Sequence, residues 1–142
     1  MLDVLEHLDD PVGALRNALD LLEPDGLMII TVPALTALWT NHDVLNHHLT
    51  RYTKGSFRKV ARQAGFETRE ERYLYHWTCP VKLGVRAMES LAQPQPEAPR
   101  VPPEWMNSLL FQISRMEQKT LSTLPMPFGS SLMVVGHRGR AA

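Results

Sequence analysis

The stretch Leu22-Glu-Pro-Asp-Gly-Leu-Met-Ile-Ile-Thr-Val-Pro33 decides the fold class, because it joins a tight turn to a short apolar run. Residues 27–32 are almost continuously apolar and have turn residues on both sides, which predicts a buried strand. A strand that is apolar on both of its faces is typical of a parallel sheet covered by helices on each side. The stretch therefore predicts an α/β layer.

A helix is predicted immediately before this turn. Asp9-Asp-Pro11 supplies an aspartate for the N-cap and a proline for the first helical position. Apolar residues then recur at helical spacing, at Val12, Leu15, Leu19 and Leu22. Helix, tight turn and buried strand together form half of a doubly wound α/β unit.

After this strand the sequence predicts a loop, a helix and two further strands. Residues 34–51 form a long connection beyond the carboxyl end of the strand, which is where open α/β sheets bind their ligands. Thr53 caps a second helix that stops at Gly65. Residues 66–77 predict a more exposed strand, and residues 131–137 predict a closing strand. The aromatic residues Tyr73, Tyr75 and Trp77 alternate along the first of these, which predicts one sheet face packed on a helix.

A helical insert is predicted between these last two strands. Residues 81–91 and 104–124 show helical spacing, and Met106 and Met116 are typical of the buried face of a helix. Residues 93–103 hold five of the eleven prolines, which predicts an extended, poorly ordered linker. We therefore expect residues 81–124 to form a helical cover.

The composition indicates a soluble protein without a nucleic-acid or membrane partner. The chain has 15 basic and 15 acidic residues, and therefore lacks the excess positive charge that such partners normally require. The single cysteine, Cys79, rules out an intrachain disulfide and favours a reducing compartment. The apolar run at 27–32 is far shorter than a membrane span. We expect a cytoplasmic protein.

Several short motifs follow one another in a fixed order along residues 1–137. They are Asp3-Val-Leu-Glu-His7, Leu22-Glu-Pro-Asp-Gly26, Val32-Pro33 with Leu38-Trp39 and His42-Asp43, then His48 with Arg51-Tyr-Thr53, Ala64-Gly-Phe66 and Pro127-Phe-Gly-Ser-Ser131. In this order they resemble the C-terminal half of a class I S-adenosylmethionine-dependent methyltransferase. The resemblance implies a partial Rossmann-like α/β fold: a three-stranded remnant sheet, its last strand antiparallel, with flanking helices and a helical insert.

The sequence departs from this family in two places. His47 stands where one subgroup has a glycine, and Thr50 stands where it has an arginine. The glycine-rich loop that binds the cofactor is also absent, because glycines 13, 26, 55, 65, 84, 129, 136 and 139 never form a G-x-G-x-G pattern. We therefore expect residues 1–142 to be the C-terminal part of a methyltransferase domain, and the isolated chain not to bind S-adenosylmethionine.

The resemblance also implies functional residues. The cofactor-binding segment is Asp3, Val4, Leu5, Glu6 and His7. The acceptor pocket or its lid is formed by Pro33, Trp39, His42, Asp43, Arg51 and Tyr52. His7 and His48 are the candidate catalytic residues on the acceptor side, since a neutral imidazole accepts a proton near neutral pH. The expected acceptor is a small molecule.

Each of these residues also has a purely structural interpretation. Glu6 is favoured near a helix N-terminus and His7 is then simply solvated. Trp39 and Tyr52 more often pack under a loop than cover a ligand. No metal is the first expectation, although some relatives bind a divalent ion at this motif, and Asp3, Glu6 and His7 would supply two oxygens and a nitrogen.

Two alternative functions remain open. The chain is either the catalytic half described above or a non-catalytic fragment or helper subunit that needs a second chain to complete the cofactor site. Half of a nicotinamide-dependent dehydrogenase shares the α/β pattern but not the Glu6-His7 and His48 motifs. If the neighbouring strands are missing, the strand at 27–32 exposes unpaired backbone groups, which predicts self-association.

Overall fold

The computed structural model describes residues 1–92, 102–120 and 126–139. Its helices are α1 (Pro11–Asp20), α2 (Asn41–Leu45), α3 (Lys54–Ala64), α4 (Thr78–Ala92) and α5 (Glu104–Thr120), and its strands are β1 (Met28–Pro33), β2 (Phe66–Leu74) and β3 (Ser131–Arg138). Residues 93–101 of the predicted linker and 121–124 of the predicted insert lie outside this range. None of the described helices combines the length and the apolar character needed to cross a membrane.

The three strands form one sheet in the order β1-β3-β2. The last strand, β3, runs antiparallel to both of its neighbours, with Val134 opposite Ile30 of β1 and Glu71 of β2. The predicted three-stranded sheet with an antiparallel last strand is therefore confirmed.

Helices α1 and α3 pack together on one face of this sheet. Asp10 caps α1 by accepting a 2.8 Å hydrogen bond from the Gly13 amide, with Pro11 at the first helical position. Gly65 ends α3 in the left-handed conformation at φ 79°. The fully buried core lies between these helices and the sheet and includes Leu15, Ile30, Val32, Phe57, Leu132 and Val134. The capping and stop signals predicted both helices correctly.

The prediction that helices cover both faces of the sheet is wrong within the described part of the chain. Ile30 is completely buried, whereas the preceding Ile29, on the opposite face of β1, is 51% exposed. The alternating side chains Ile30, Val32 and Val134 belong to one apolar core with residues of α1 and α3. Both helices therefore pack against the same face of the sheet. An apolar run on its own does not reveal how many faces of its strand are covered.

The aromatic stripe predicted at Tyr73, Tyr75 and Trp77 is also wrong. Strand β2 ends at Leu74, and Tyr75 turns the chain with a positive φ of 58°. Only Tyr73 is therefore buried by the sheet, while Tyr75 is 40% and Trp77 58% exposed. The period-two pattern fails because the backbone leaves the extended conformation one residue after Leu74.

The two helices of the insert form as predicted, but α5 is not a core helix. Met116 is 65% and Trp105 68% exposed. Its anchor is the buried carboxylate of Glu117, which accepts hydrogen bonds from the backbone amides of His76 at 2.8 Å and Trp77 at 3.3 Å. Helical spacing identifies an apolar face but does not show whether another element packs against it.

The first three residues hydrogen-bond along the outer edge of β1. Leu2 forms a parallel bridge with Thr31, and the Asp3 amide donates to the Thr31 carbonyl at 2.9 Å. The N-terminal ammonium donates to the Ile29 carbonyl at 2.8 Å. The edge of β1 is therefore partly paired within the chain, and self-association through residues 27–32 stays a prediction.

Candidate functional site

A polar cleft of about 350 Å³ lies at the carboxyl end of β1, at Pro33. The side chains around it come from the N-terminal segment, the α2 region, α4 and the start of β3: Asp3, Glu6, His7, His42, Asn46, His48, Arg51, Lys82, Ser130 and Ser131. This is the strand end at which the sequence predicts a ligand. Segments distant in sequence therefore meet here.

Asp43 organises the wall behind the cleft. It is completely buried, and its Oδ1 accepts hydrogen bonds from Arg51 Nε and His48 Nδ1, both at 2.8 Å. Its Oδ2 accepts from the Thr40 amide at 2.9 Å, which fixes the first turn of α2. Arg51 in turn donates through Nη1 to the Ala34 carbonyl at 2.8 Å. Asp43 and Arg51 thus join α2 to the loop that follows β1.

The ionisation of Asp43 decides the tautomer of His48. Burial would raise the pKa of Asp43, but the hydrogen bonds from Arg51, Thr40 and His48 outweigh burial and lower it. An ionised carboxylate only accepts hydrogen bonds, so His48 must carry its proton on Nδ1. In the neutral imidazole, Nε2 is then a free proton acceptor.

His7 stands directly beside His48. Their ring centroids are 4.8 Å apart, with the planes at 75° in an edge-to-face arrangement. The His7 side chain is 38% exposed and that of His48 13%, and both line the cleft. The structure therefore brings together the two histidines that the sequence selects as catalytic candidates.

Glu6 is buried without a partner. It is 0% exposed, and neither of its carboxylate oxygens makes a hydrogen bond within the described residues. The nearest cationic candidate is His7, whose Nε2 lies 3.8 Å from Glu6 Oε1. Burial is the main reason that the pKa of Glu6 is raised, and the negative charge of Asp3 raises it further. Such a group costs folding free energy, because its lost hydration is not replaced.

Glu6→Met is accordingly expected to stabilise the protein by about 1–3 kcal/mol at pH 7, since methionine fills a similar volume without a polar group. Urea denaturation of both proteins measures the change. Glu23→Met, at an exposed turn position, is the matched control and should change stability by less than about 0.5 kcal/mol. A clear loss of stability in Glu6→Met would mean that the carboxylate has a stabilising partner.

The described residues also contain one group of possible metal ligands. Ligand atoms of Glu6, His7 and His48 all lie within 4.8 Å of one another. Asp3, which the sequence places in the candidate metal set, instead accepts a hydrogen bond from Thr31 Oγ1 at 3.2 Å. His48 takes the place of Asp3 because the loop after α2 folds back onto the N-terminal segment, where the Leu49 amide donates to the Glu6 carbonyl at 2.7 Å.

Several predicted site residues lie outside the cleft. Leu5 and Tyr52 belong to the hydrophobic core, where the Tyr52 hydroxyl donates to the Leu5 carbonyl at 3.2 Å. Trp39 is half-buried and Val4 is 39% exposed, and neither lines the cleft. These positions agree with the structural interpretation of Tyr52 as a packing residue.

The unusual residue His47 has the backbone conformation that favours glycine. Its φ is 55°, a left-handed conformation that costs a residue with a side chain about 1–2 kcal/mol. A glycine at this position would adopt the same conformation without that cost. That turn lets the His48 amide donate to the Asp43 carbonyl at 2.9 Å, which closes the loop around the site.

Sequence reasoning missed four residues of the cleft: Asn46, Lys82, Ser130 and Ser131. The two serines belong to the motif Pro127-Phe-Gly-Ser-Ser131. In the sequence this motif indicated only the start of the last strand and not a binding site. Lys82 carries no sequence signal, because its position in the cleft depends on how α4 packs against the loop after β1.

An α/β layer with a polar cleft at a strand's carboxyl end is the arrangement of Rossmann-like ligand-binding domains. The family described as "Methyltransferase domain" matches residues 1–71, which is half of the 142-residue chain. The chain therefore belongs to the methyltransferase domain family. No curated protein sequence matches it.

Among solved structures, the chain resembles a complex of the Haloferax volcanii Trm112 methyltransferase activator with a protein assigned as a methyltransferase. The match has a TM-score of 0.52 and 16% sequence identity, and it covers 99% of this chain and 53% of that chain. At this identity the likeness concerns the fold alone. The chain spans about half the length of that structure's chain.

Proposed function

We propose that this chain forms the acceptor side of an S-adenosylmethionine-dependent methyltransferase that acts on a small molecule. The observation that carries the proposal is the His48–Asp43 pair, with His7 directly beside His48 in the cleft. Both histidines lie within residues 1–71, the part of the chain that matches the methyltransferase domain. The family supports methyl transfer in general, and the cleft supports these residues as its acceptor side.

The charges near Glu6 suit the proposed cofactor. S-adenosylmethionine carries a positive sulfonium, and when bound it supplies an electrophilic methyl group. The unpaired carboxylate of Glu6 and the neighbouring Asp3 give their end of the cleft negative character, which favours a cation. We propose that Asp3, Glu6 and His7, the residues of this segment that line the cleft, contact the cofactor at this end. No residues of this sequence form the glycine-rich loop, so the rest of the cofactor requires binding groups outside it.

His48 is the proposed general base. Methylation of a hydroxyl, amine or thiol joins the acceptor atom to the methyl carbon as the sulfur–carbon bond breaks, and the acceptor must then lose a proton. Neutral His48 accepts that proton at Nε2, and the adjacent carboxylate of Asp43 stabilises the imidazolium that results. His7 borders the same space and is proposed to orient the acceptor.

A second candidate is a helper subunit that works only with another chain. The solved structure that resembles this chain contains a methyltransferase activator protein, and here the sheet face that carries Ile29 is exposed.

A divalent ion held by Glu6, His7 and His48 is a variant of the first proposal. It would act as a Lewis acid on the acceptor oxygen.

The isolated chain is expected not to bind S-adenosylmethionine, because it lacks the glycine-rich loop. Isothermal calorimetry with this chain should give no binding heat, and micromolar affinity would contradict the expectation.

The general-base role is tested in a protein in which this chain is combined with a cofactor-binding half of the domain. There, transfer of a radiolabelled methyl group to a small-molecule extract measures activity. His48→Gln should lower the rate by about 10²–10⁴-fold without changing cofactor affinity. His47→Gln is the matched control and should retain the rate. An unchanged rate in His48→Gln would remove His48 from the mechanism.

A further inference from the structure

We infer that the end of the cleft formed by Lys82, Arg51 and Ser131 binds an anionic group of the acceptor, a carboxylate or a phosphate. The inference rests on the proposed function, since it names the chemical class of the acceptor for the same cleft. It assigns Lys82 a role in specificity, outside the His48 chemistry.

The position of Lys82 on α4 is the first argument. Lys82, Arg86 and Glu89 follow one another at helical spacing on one face of the helix. Arg86 Nη1 donates to the carbonyls of Thr36 and Ala37 at 3.0 and 2.9 Å, and Glu89 Oε2 accepts from the Asn41 amide at 3.0 Å. These bonds fix the helix face against the loop after β1. Lys82 continues the same face into the cleft.

The ammonium of Lys82 has no partner within residues 1–92, 102–120 and 126–139: no hydrogen bond or ion pair forms there. Burial, and next the positive charge of Arg51, lower the pKa of Lys82. A cation held beside another cation and partly removed from water is costly, because neither its hydration nor a counter-charge is complete. A bound anion would supply the missing counter-charge.

The charges at this end of the cleft do not balance. Lys82 and Arg51 are two cations, and the nearby carboxylate is that of Asp43. Both oxygens of Asp43 are already occupied, by Arg51 and His48 on one side and by the Thr40 amide on the other. One positive charge therefore stays unmatched, and it faces the cleft.

The opposite end of the cleft has the opposite character. The carboxylate whose charge acts on Glu6 is Asp3, whereas the charges that act on Lys82 are those of Arg51 and Asp43. The cleft is thus polarised, with carboxylates at one end and cations at the other. An acceptor anchored at Lys82 by its anionic group would extend towards His48, which lies between the two ends.

Hydrogen-bond donors at the cationic end suit oxygen ligands. Arg51 uses Nε and Nη1 for Asp43 and Ala34, and within the described residues its Nη2 donates no hydrogen bond. Ser131, at the start of β3, also lines the cleft. A guanidinium, an ammonium and a hydroxyl together are typical ligands for carboxylate and phosphate oxygens.

The test uses the full chain and two simple anions, inorganic phosphate and acetate, at constant ionic strength. Lysines carry a ¹³C label at the ε-carbon, and Lys82→Met identifies the Lys82 signal by its disappearance. Saturable shifts of this signal and of the Ser131 amide at millimolar anion are expected. Stronger binding of phosphate would indicate a phosphorylated acceptor, and stronger binding of acetate a carboxylate.

Two variants separate binding at this site from general ionic attraction. Lys82→Met should weaken the anion response of the Ser131 amide by about tenfold or more. Lys59→Met, on the exposed face of α3, is the matched control and should leave it unchanged. The absence of saturable shifts in the unsubstituted chain would overturn the inference, whether or not the variants fold. So would wild-type affinity in Lys82→Met.

The outcome is independent of the proposed methyl transfer. Anion binding by this chain requires neither a cofactor nor turnover. Anion binding at Lys82 without any methyl transfer would remove the proposed reaction and keep the anion site. Methyl transfer without anion binding would remove only the anion site.

Discussion

Asp43→Ala is expected to lower the free energy of unfolding by about 3–5 kcal/mol at pH 7, because it leaves a buried guanidinium unpaired. The Arg51 side chain is 1% exposed and the Asp43 side chain 0%. Arg51 cannot move to solvent without giving up its bond to the Ala34 carbonyl and opening the loop after β1. The variant also removes the hydrogen bond that the Thr40 amide donates to Asp43 at the start of α2.

Guanidinium denaturation of wild type and variant measures this loss. Asp20→Ala is the matched control, because Asp20 also pairs with an arginine, Arg138, but at the surface, where the side chains are 65% and 53% exposed. That change should cost at most about 1 kcal/mol. A similar small cost for Asp43→Ala would show that Arg51 finds another partner.

The contribution of Asp43 is expected to depend on pH in one direction. The pKa of Asp43 in the folded protein is lower than its ordinary value of 3.8, because the hydrogen bonds from Arg51, Thr40 and His48 outweigh the opposing effect of burial. The stability that it supplies is therefore complete above pH 3.8 and is lost as the pH falls through the lowered value. The difference between wild type and Asp43→Ala should accordingly shrink in acid, as the pH falls below 3.8.

Local signals in the sequence predicted the framework of the fold. The N-cap at Asp10, the proline at position 11 and the stop at Gly65 act within a few residues of themselves, so no tertiary information is needed to read them. The antiparallel direction of the last strand is different, because it depends on distant pairing. It followed from the resemblance to the methyltransferase family rather than from residue patterns.

Features that depend on packing were not predictable in this way. Ile29 and Met116 have apolar side chains in regular positions, yet both are exposed, since burial requires a partner that a pattern does not specify. Asp43 was expected in the acceptor pocket or its lid, and the sequence did not show that it would lie behind the wall and hold His48. Lys82 was missed, because only the docking of α4 brings it to the cleft.

Gly136→Ala is expected to be the most disruptive small substitution in the sheet. A Cβ atom on Gly136 would lie 2.2 Å from the carbonyl oxygen of Glu67 and 2.5 Å from Cζ of Phe66. The first of these atoms is backbone of β2, which pairs with β3 and has a register shift between Thr68 and Glu70. The carbonyl cannot withdraw without loosening that pairing, so we expect a loss of about 3 kcal/mol.

Gly84→Ala supplies a control with the opposite sign. A Cβ there meets nothing within 4 Å, and Gly84 lies inside α4, where alanine is a better helix former. This variant should gain about 0.5–1 kcal/mol, because glycine loses more conformational freedom on folding. Denaturant titrations should therefore give a lower free energy of unfolding than wild type for Gly136→Ala and a higher one for Gly84→Ala. If Gly136→Ala were as stable as wild type, β2 and β3 would have to lie further apart at Gly136 than a distance of 2.2 Å between the added Cβ and the Glu67 carbonyl oxygen implies.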